Sequence, residues 1–163
     1  IRAGFLVHCA LDFSHHQVIN LSYMSTPIST VLTALKTILD DKCSPLVTYE
    51  FQSNMGISNS CIVMQLISAT TQKPGLGRRA SDERFTKVRL LIQFDVYQDS
   101  GEGAIEYADK AIHAIFAAED TLRGEDITLK EMTGGRDVAE QVGARLYRKS
   151  FDYAFEIYMT AEL

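Results

Sequence analysis

The chain of 163 residues contains no tryptophan, three prolines and three cysteines, and it has no long apolar run. Cys9, Cys43 and Cys61 are odd in number and show no Cys-x-x-Cys spacing, so the sequence predicts neither a zinc site nor a disulfide framework. A helix that spans a bilayer needs about 18 consecutive apolar residues. These absences exclude a disulfide-rich secreted domain and a membrane-spanning helix, and a reducing compartment is the simplest interpretation.

The sequence also lacks a surplus of positive charge. It carries 16 basic and 21 acidic residues, for a net charge of -5. Dedicated nucleic-acid binders are usually basic, so the balance argues against that class and favours protein partners. With 46% hydrophobic and 23% charged residues, the composition is typical of one soluble globular domain.

Residues 1–23 differ from the sequence that follows. Gly4 to Leu11 is apolar, but Arg2 is the only positive charge before it and no small-residue cleavage site follows, so no secretory signal is predicted. Met24 directly precedes the first helix start. Two interpretations of residues 1–23 stay open: sequence upstream of a natural start at Met24, or an assembly arm that pairs with a neighbour. Residues 24–163 are predicted to form one domain.

The spacing of apolar residues predicts the element order α-β-β-β-α-β-β. Thr26 and Pro27 suit a helix cap and a first helical position. An apolar stripe at helical spacing follows them: Ile28, Val31, Leu32, Leu35, Ile38 and Leu39. The predicted helices cover 27–41 and 102–121, and the predicted strands cover 46–51, 61–67, 88–96, 127–132 and 147–160. A long polar loop is predicted over 69–84, and Gly134 and Gly135 are predicted to end the strand of 127–132.

Two segments have the clearest periodicity. In 88–96 every second residue is apolar, which predicts one face on a core and a mostly polar opposite face. The second helix presents an apolar stripe of Ile105, Ala108, Ile112, Ile115 and Phe116. Because the strands are joined by loops without crossover helices, we predict an α+β fold: a mostly antiparallel sheet with two amphipathic helices packed on one face.

The sequence predicts no catalytic residue, no metal site and no cofactor. Three of the four histidines, His8, His15 and His16, lie in the N-terminal segment, and His113 is predicted at the helix surface. Gly75 to Arg79 combines glycines with arginines, but it joins two strands, whereas a phosphate-binding loop joins a strand to a helix. The acidic residues Asp95, Asp99 and Glu102 cluster near a turn without further support for a site.

A local positive segment lies between residues 72 and 89. Its predicted partner-binding residues are Lys73, Arg78, Arg79, Arg84 and Lys87. Three interpretations stay open: a solvated hairpin loop, an assembly arm that docks on an acidic partner surface, and contact with DNA phosphates.

Residues 25–163 resemble a known family. The segment Gln93-Phe94-Asp95-Val96-Tyr97 ends a strand and is followed at once by an Ala-rich helix. Residues 151–158, Phe-Asp-Tyr-Ala-Phe-Glu-Ile-Tyr, form a late aromatic strand. With the amphipathic first helix, this pattern resembles the tail terminator and neck proteins of tailed bacteriophages, in which a strand of the type Q-x-D-V-Y precedes the helix.

The resemblance implies a structural virion protein and no enzyme. Such proteins form a ring, typically a hexamer, that caps the tail tube, ends its polymerisation and offers the surface to which the head connector joins. The implied partners are further copies of the chain, the tail tube protein, a head-connector or head-closure protein and, in a contractile tail, the sheath protein. DNA would pass through the channel without sequence-specific binding, and no membrane is involved. The implied location is the virion tail or neck, and the host cytoplasm during assembly.

Two alternatives remain. One is another neck or connector protein, such as a head-closure or tail-completion protein. The other belongs to a different class, a small α+β enzyme or ligand-binding domain, which would need a concave pocket with perturbed titratable groups.

Overall fold

The computed structural model describes residues 22–53, 55–72, 83–141 and 145–162. Its helices are α1 (Ser22–Lys42), α2 (Gly101–Ala117) and α3 (Glu119–Gly124), and its strands are β1 (Thr48–Glu50), β2 (Cys61–Gln72), β3 (Glu83–Gln98), β4 (Ile127–Gln141) and β5 (Leu146–Glu162). The predicted α+β class and the predicted order are confirmed, with α3 as an additional short helix. The N-terminal extension lies outside the described residues up to residue 21.

The five strands form one sheet in the order β1-β2-β3-β5-β4. The β2–β3, β3–β5 and β5–β4 pairs are antiparallel, and β1 runs parallel to β2. The mostly antiparallel sheet is therefore confirmed, with one parallel pair at its edge. The connection from β1 to β2 packs Met55 and Ile57 against a small second cluster that includes Cys61 and Tyr97.

The main core lies between the helices and one face of the sheet. The Phe94 and Phe151 rings stack with centroids 5.1 Å apart, and Tyr153 meets both rings edge-on. The predicted alternation in β3 is confirmed, since its apolar face is buried throughout (Val88, Leu90, Ile92, Phe94 and Val96). The predicted stripe of α1 also packs on this core, with Val31, Leu35 and Leu39 fully buried.

The start of α1 and the end of α2 differ from the prediction. Helix α1 begins at Ser22, so Thr26 and Pro27 lie inside it and are not its start. Pro27 is the sixth residue of α1, beyond the first turn that proline fits without the loss of a helical hydrogen bond, so the Thr-Pro pair did not mark the helix start. The second helix ends at Ala117, because Ala118 adopts φ -89° and ψ 8° and its amide bonds back to Ala114 and Ile115. The chain then continues as α3.

The predicted core stripe of α2 is wrong at its two ends. Ile105 and Phe116 are 46% and 64% exposed, whereas the buried stripe consists of alanines together with Ile115. Successive residues of a helix are rotated by about 100°, so Phe116 lies well away from Ile115. Small alanine side chains and Ile115 form the stripe that faces the sheet, and Ile105 and Phe116 lie on its flank.

Four of the five strands are longer than predicted, whereas β1 covers only Thr48–Glu50 of the predicted 46–51. Gly134 and Gly135 do not end a strand, because β4 continues to Gln141. A Cβ atom at Gly134 would lie 3.0 Å from Asp152 Oδ2, so glycine allows a close approach of the two strands there. Residues 69–72 and 83–84 of the predicted loop also lie in strands. The backbone of 69–72 pairs with β3, and the backbone of 83–84 pairs with β5.

Candidate assembly surfaces

The sheet face opposite the helices, here called the open face, carries most of the polar side chains of β3 and β5. The prediction of a polar face is correct, but its burial was not predicted: Gln93, Asp95 and Ser150 are all buried. Alternation therefore identifies the residues of a face without showing what covers them.

Asp95 is the centre of a hydrogen-bond network on this face. The Gln93 side-chain amide donates to both carboxylate oxygens, at 2.9 and 3.1 Å, and the Ser150 hydroxyl donates to Oδ1. Ser150 is the partner of Asp95 in the β3–β5 register. The network thus satisfies a buried carboxylate with neutral donors and joins the two central strands. The spacing Gln93-x-Asp95 places both side chains on one face, but the bond to Ser150 gave no sequence signal.

Glu156 is the second buried carboxylate of the open face. Lys87 Nζ lies 2.8 Å from Oε1, and Lys130 Nζ lies 2.6 Å from Oε2. Burial would by itself raise the pKa of Glu156, but the two ammonium groups outweigh it and hold the pKa below its ordinary value. The carboxylate therefore stays charged and links β3, β5 and β4.

The predicted partner-binding residues are only partly described. Lys73, Arg78 and Arg79 lie outside the described residues, and the backbone of Arg84 lies in β3 opposite Ala161. Lys87 pairs with Glu156 of its own chain. A role of these residues toward a partner stays a prediction.

The central strands extend past the helices toward the positively charged segment between residues 72 and 89, here called the basic segment. With 16 residues, β3 is about 50 Å long at about 3.3 Å per residue. Helix α2, with 17 residues, is only about 25 Å long at 1.5 Å per residue. Residues 67–71 of β2 are all exposed. The helices therefore cover only part of the β2–β3 hairpin.

The edge of the sheet at β1 is closed by two side chains of α1. Val47 O and the Phe51 amide bond to β2, so the backbone groups of Thr48 point away from the sheet. The Thr48 amide donates to Asp40 Oδ1 at 2.7 Å, and Lys36 Nζ donates to Thr48 O at 2.6 Å. Such bonds occupy the groups that an added strand would need.

Lys36 and Asp40 also pair with each other at 2.6 Å. Burial acts to raise the pKa of Asp40, but the bonds from Lys36 and Thr48 outweigh it and lower the pKa overall. The i,i+4 spacing predicts the ion pair. The hydrogen bonds between these two side chains and the Thr48 backbone could not be inferred from spacing, since they depend on where β1 lies against α1.

Two shallow grooves run along α1. One, of about 350 Å³, lies between α1 and α3, and the other, of about 330 Å³, lies between α1 and the end of α2. Threonine, alanine and isoleucine side chains form most of their lining, for example Thr37, Ile38 and Thr121. Their charged residues, Glu125, Asp41 and Lys42, are all exposed.

His113 is exposed on α2, as predicted. Cys43 and Cys61 are buried in the two clusters, and burial raises the pKa of both thiols. Asp99 and Glu102 are exposed and do not join Asp95 in a site. Within the described ranges, no three histidine, cysteine or acidic side chains are grouped so that they could hold a metal ion.

No protein-family model matches the chain, and no curated protein sequence is significantly similar to it. Among the helices of the described part of the chain, none is long and apolar enough to cross a membrane. A functional assignment therefore depends on the residues and surfaces described above.

Proposed function

We propose that this chain is a structural protein of a tailed-phage virion. Its copies form a homo-oligomeric ring, a hexamer by the family resemblance, that caps the tail tube, ends its polymerisation and receives the head connector. The observation that carries the proposal is the long β2–β3 hairpin, which extends beyond the helices toward the basic segment. An arm of this kind suits contact with a neighbouring subunit or with the tube.

The open face gives the proposal further support. Its charged groups are largely paired within the chain, as at Glu156 and at Arg89, which pairs with Glu131. A surface whose cations are already paired offers few free positive charges to DNA phosphates, and the net charge of the chain is acidic, so DNA could pass a ring lined by this face without binding. This is the behaviour that a tail channel requires.

In the proposed complex, Arg78, Arg79 and Arg84 contact an acidic surface of the partner. Lys73 and Lys87 flank them, and Lys87 at the same time holds Glu156. The partner is the tube protein or the adjacent subunit, and the opposite side of the ring meets the head-connector or head-closure protein. In a contractile tail the sheath protein would also contact the ring.

The test measures the length of tail tubes. Tube protein is polymerised with and without the purified chain, and tube lengths are read by electron microscopy. We expect the wild type to bind tube ends and stop elongation, and the triple variant R78E/R79E/R84E to fold normally but leave tubes long. The matched control K42E/K110E/R123E changes the same number of charges on the helical side and should act like the wild type.

Two outcomes would contradict the proposal. If the wild-type chain leaves tube length unchanged, it is not a terminator, and attachment to the head connector alone would then identify a head-side neck protein. If both triple variants stop elongation as the wild type does, the basic segment is not the contact with the tube.

A further inference from the structure

The acidic residues of the chain are unevenly distributed. Residues 99–126, which comprise the turn before α2, α2 itself and the α3 region, hold eight acidic and two basic residues, for a net charge of -6. The whole chain has a net charge of -5, so the other residues together carry +1. The negative charge of the protein therefore belongs to this one segment.

Helix α2 presents three carboxylates on its outer surface, here called the acidic face. Glu102, Glu106 and Asp109 are all exposed and lie within about 60° of one another around the helix, at about 100° per residue. None of the three has an ion-pair partner among the described residues. Lys110 of the same helix lies over the Tyr107 ring, 5.2 Å from its centroid. Like charges at this helical spacing repel each other, so cations of a partner would relieve the repulsion.

The basic segment has the opposite charge. Residues 72–89 hold six basic and two acidic residues, for a net charge of +4. Two of the cations, Lys87 and Arg89, pair with carboxylates of the same chain. A contact with a partner therefore falls to the other cations, among which Arg78 and Arg79 are adjacent. Guanidinium groups bind carboxylates through paired hydrogen bonds.

The acidic face and the basic segment lie at opposite ends of β3. A Cβ atom at Gly103 would lie 3.6 Å from Gln98 Cβ, so the first turn of α2 packs at the Gln98 end of the strand. Asp109 lies about 9 Å further along the helix, at 1.5 Å per residue. Glu83, at the other end of β3, lies about 50 Å from Gln98 at about 3.3 Å per residue.

The basic segment is too short to reach the acidic face of its own chain. Arg78 precedes Glu83 by five residues, which span at most about 18 Å when fully extended. It therefore stays about 30 Å from Gln98 along the direction of β3. A backbone separation of about 20 Å from Asp109 remains, which is too wide for the two side chains to form an ion pair. Contact between the two charged surfaces thus requires a second copy of the chain.

We propose that the acidic face of one copy binds the basic segment of the next copy. The two surfaces differ and lie at opposite ends of one strand, so the contact is head to tail and can close into a ring. Complementary charge of this kind fixes the register between two partners. It favours the adjacent subunit over the tube protein as the partner of Arg78 and Arg79. The inference rests on the proposed function, because it identifies the subunit contact of the proposed ring.

Reversal of the charge on each surface tests this contact. The variants E106K/D109K and R78E/R79E each place like charges on the two surfaces, so each alone should raise the dissociation constant of the oligomer about tenfold or more. In an equimolar mixture, the surfaces of one variant are complementary to those of the other, and an oligomer of wild-type mass should form again. The control D41K/E50K reverses two other exposed carboxylates and should associate like the wild type. Light scattering after size exclusion measures the masses.

Circular dichroism checks that the variants are folded. If a reversal on α2 unfolds the chain, E106Q/D109N takes its place and should weaken association in the same direction. An oligomer formed by E106K/D109K alone, or two dissociated variants whose mixture stays monomeric, overturns the contact and leaves the ring intact. A wild-type chain that is monomeric, alone and with tail tubes, overturns both the contact and the ring. A mixture that assembles, together with a wild type that does not shorten tubes, supports the contact and contradicts the proposed function.

Discussion

The two faces of the sheet are buried by different means. Under the helices, the aromatic rings of Phe94 and Phe151 fill the space by packing. On the open face, Asp95 and Glu156 are buried with specific hydrogen-bonding or charged partners. Successive residues of β3 point to opposite faces, so this one strand contributes both to the apolar core and to the polar pairs of the open face. We expect the helix-covered face to set most of the stability and the open face to fix how the strands align.

The largest expected effect is on the helix-covered face. Phe94→Ala removes a fully buried ring from its stack and should lower the free energy of unfolding by about 3–5 kcal/mol. Urea unfolding followed by circular dichroism measures the change. Leu91→Ala, on the open face of the same strand and only partly buried, should cost no more than about 2 kcal/mol. Equal losses would contradict the difference between the faces.

A smaller effect is expected at the polar network. Asp95→Ala leaves the buried groups of Gln93 and Ser150 without their acceptor and should cost about 1–3 kcal/mol in the same urea experiment. Asp95→Asn keeps the shape and one acceptor oxygen, so its loss should be smaller. Asp99→Ala, at an exposed position, should stay within about 0.5 kcal/mol of the wild type. An Asp95→Ala protein as stable as the Asp99→Ala protein would show that the network adds no stability.

The ion pairs of Glu156 should give the smallest effect and one that depends on pH. Glu156→Gln should cost about 1–2 kcal/mol at pH 7, because both lysines, which are themselves partly exposed, lose a charged partner. The pKa of Glu156 is lower in the folded chain, so its contribution is complete above the unfolded pKa and is lost as the pH falls through the folded pKa.

Thermal unfolding of both proteins between pH 7 and pH 3 measures this difference. The curves for wild type and Glu156→Gln should converge toward the acidic end. The exposed pair of Arg89 and Glu131 is the control, and Glu131→Gln should cost less than about 1 kcal/mol at every pH. A gap for Glu156→Gln that is constant with pH would mean that its charge is not what stabilises the strands.

The sequence was most informative where one periodicity holds over many residues. The alternation in β3 and the stripe of α1 predicted the core correctly, because both follow the geometry of a single element. Gly134 and Gly135 were misread as a strand end. Local preference favours a turn there, but β5 offers β4 a continuous partner, and tertiary pairing overrides the preference.

The surfaces were harder to predict than the core. Phe116 was assigned to the core because it follows Ile112 at helical spacing, yet the alanines of α2 are what fit against the sheet. The hydrogen bonds that join Lys36 and Asp40 of α1 to the Thr48 backbone connect two separate elements, so no local sequence pattern predicts them. The basic segment was identified by charge, and charge alone does not say which partner it meets.

The irregular pairing of β4 has a consequence for how the protein can change in evolution. The 15 residues of β4 lie against the shorter stretch Leu146–Ile157 of β5, and the register shifts three times along the pair. The β3–β5 register has no such shift over Glu83–Gln98. An inserted or deleted residue in β3 would turn each following side chain to the wrong face. In β4 an extra residue can be taken up at a shift, so homologous chains should differ in length there before they differ in length anywhere in β3.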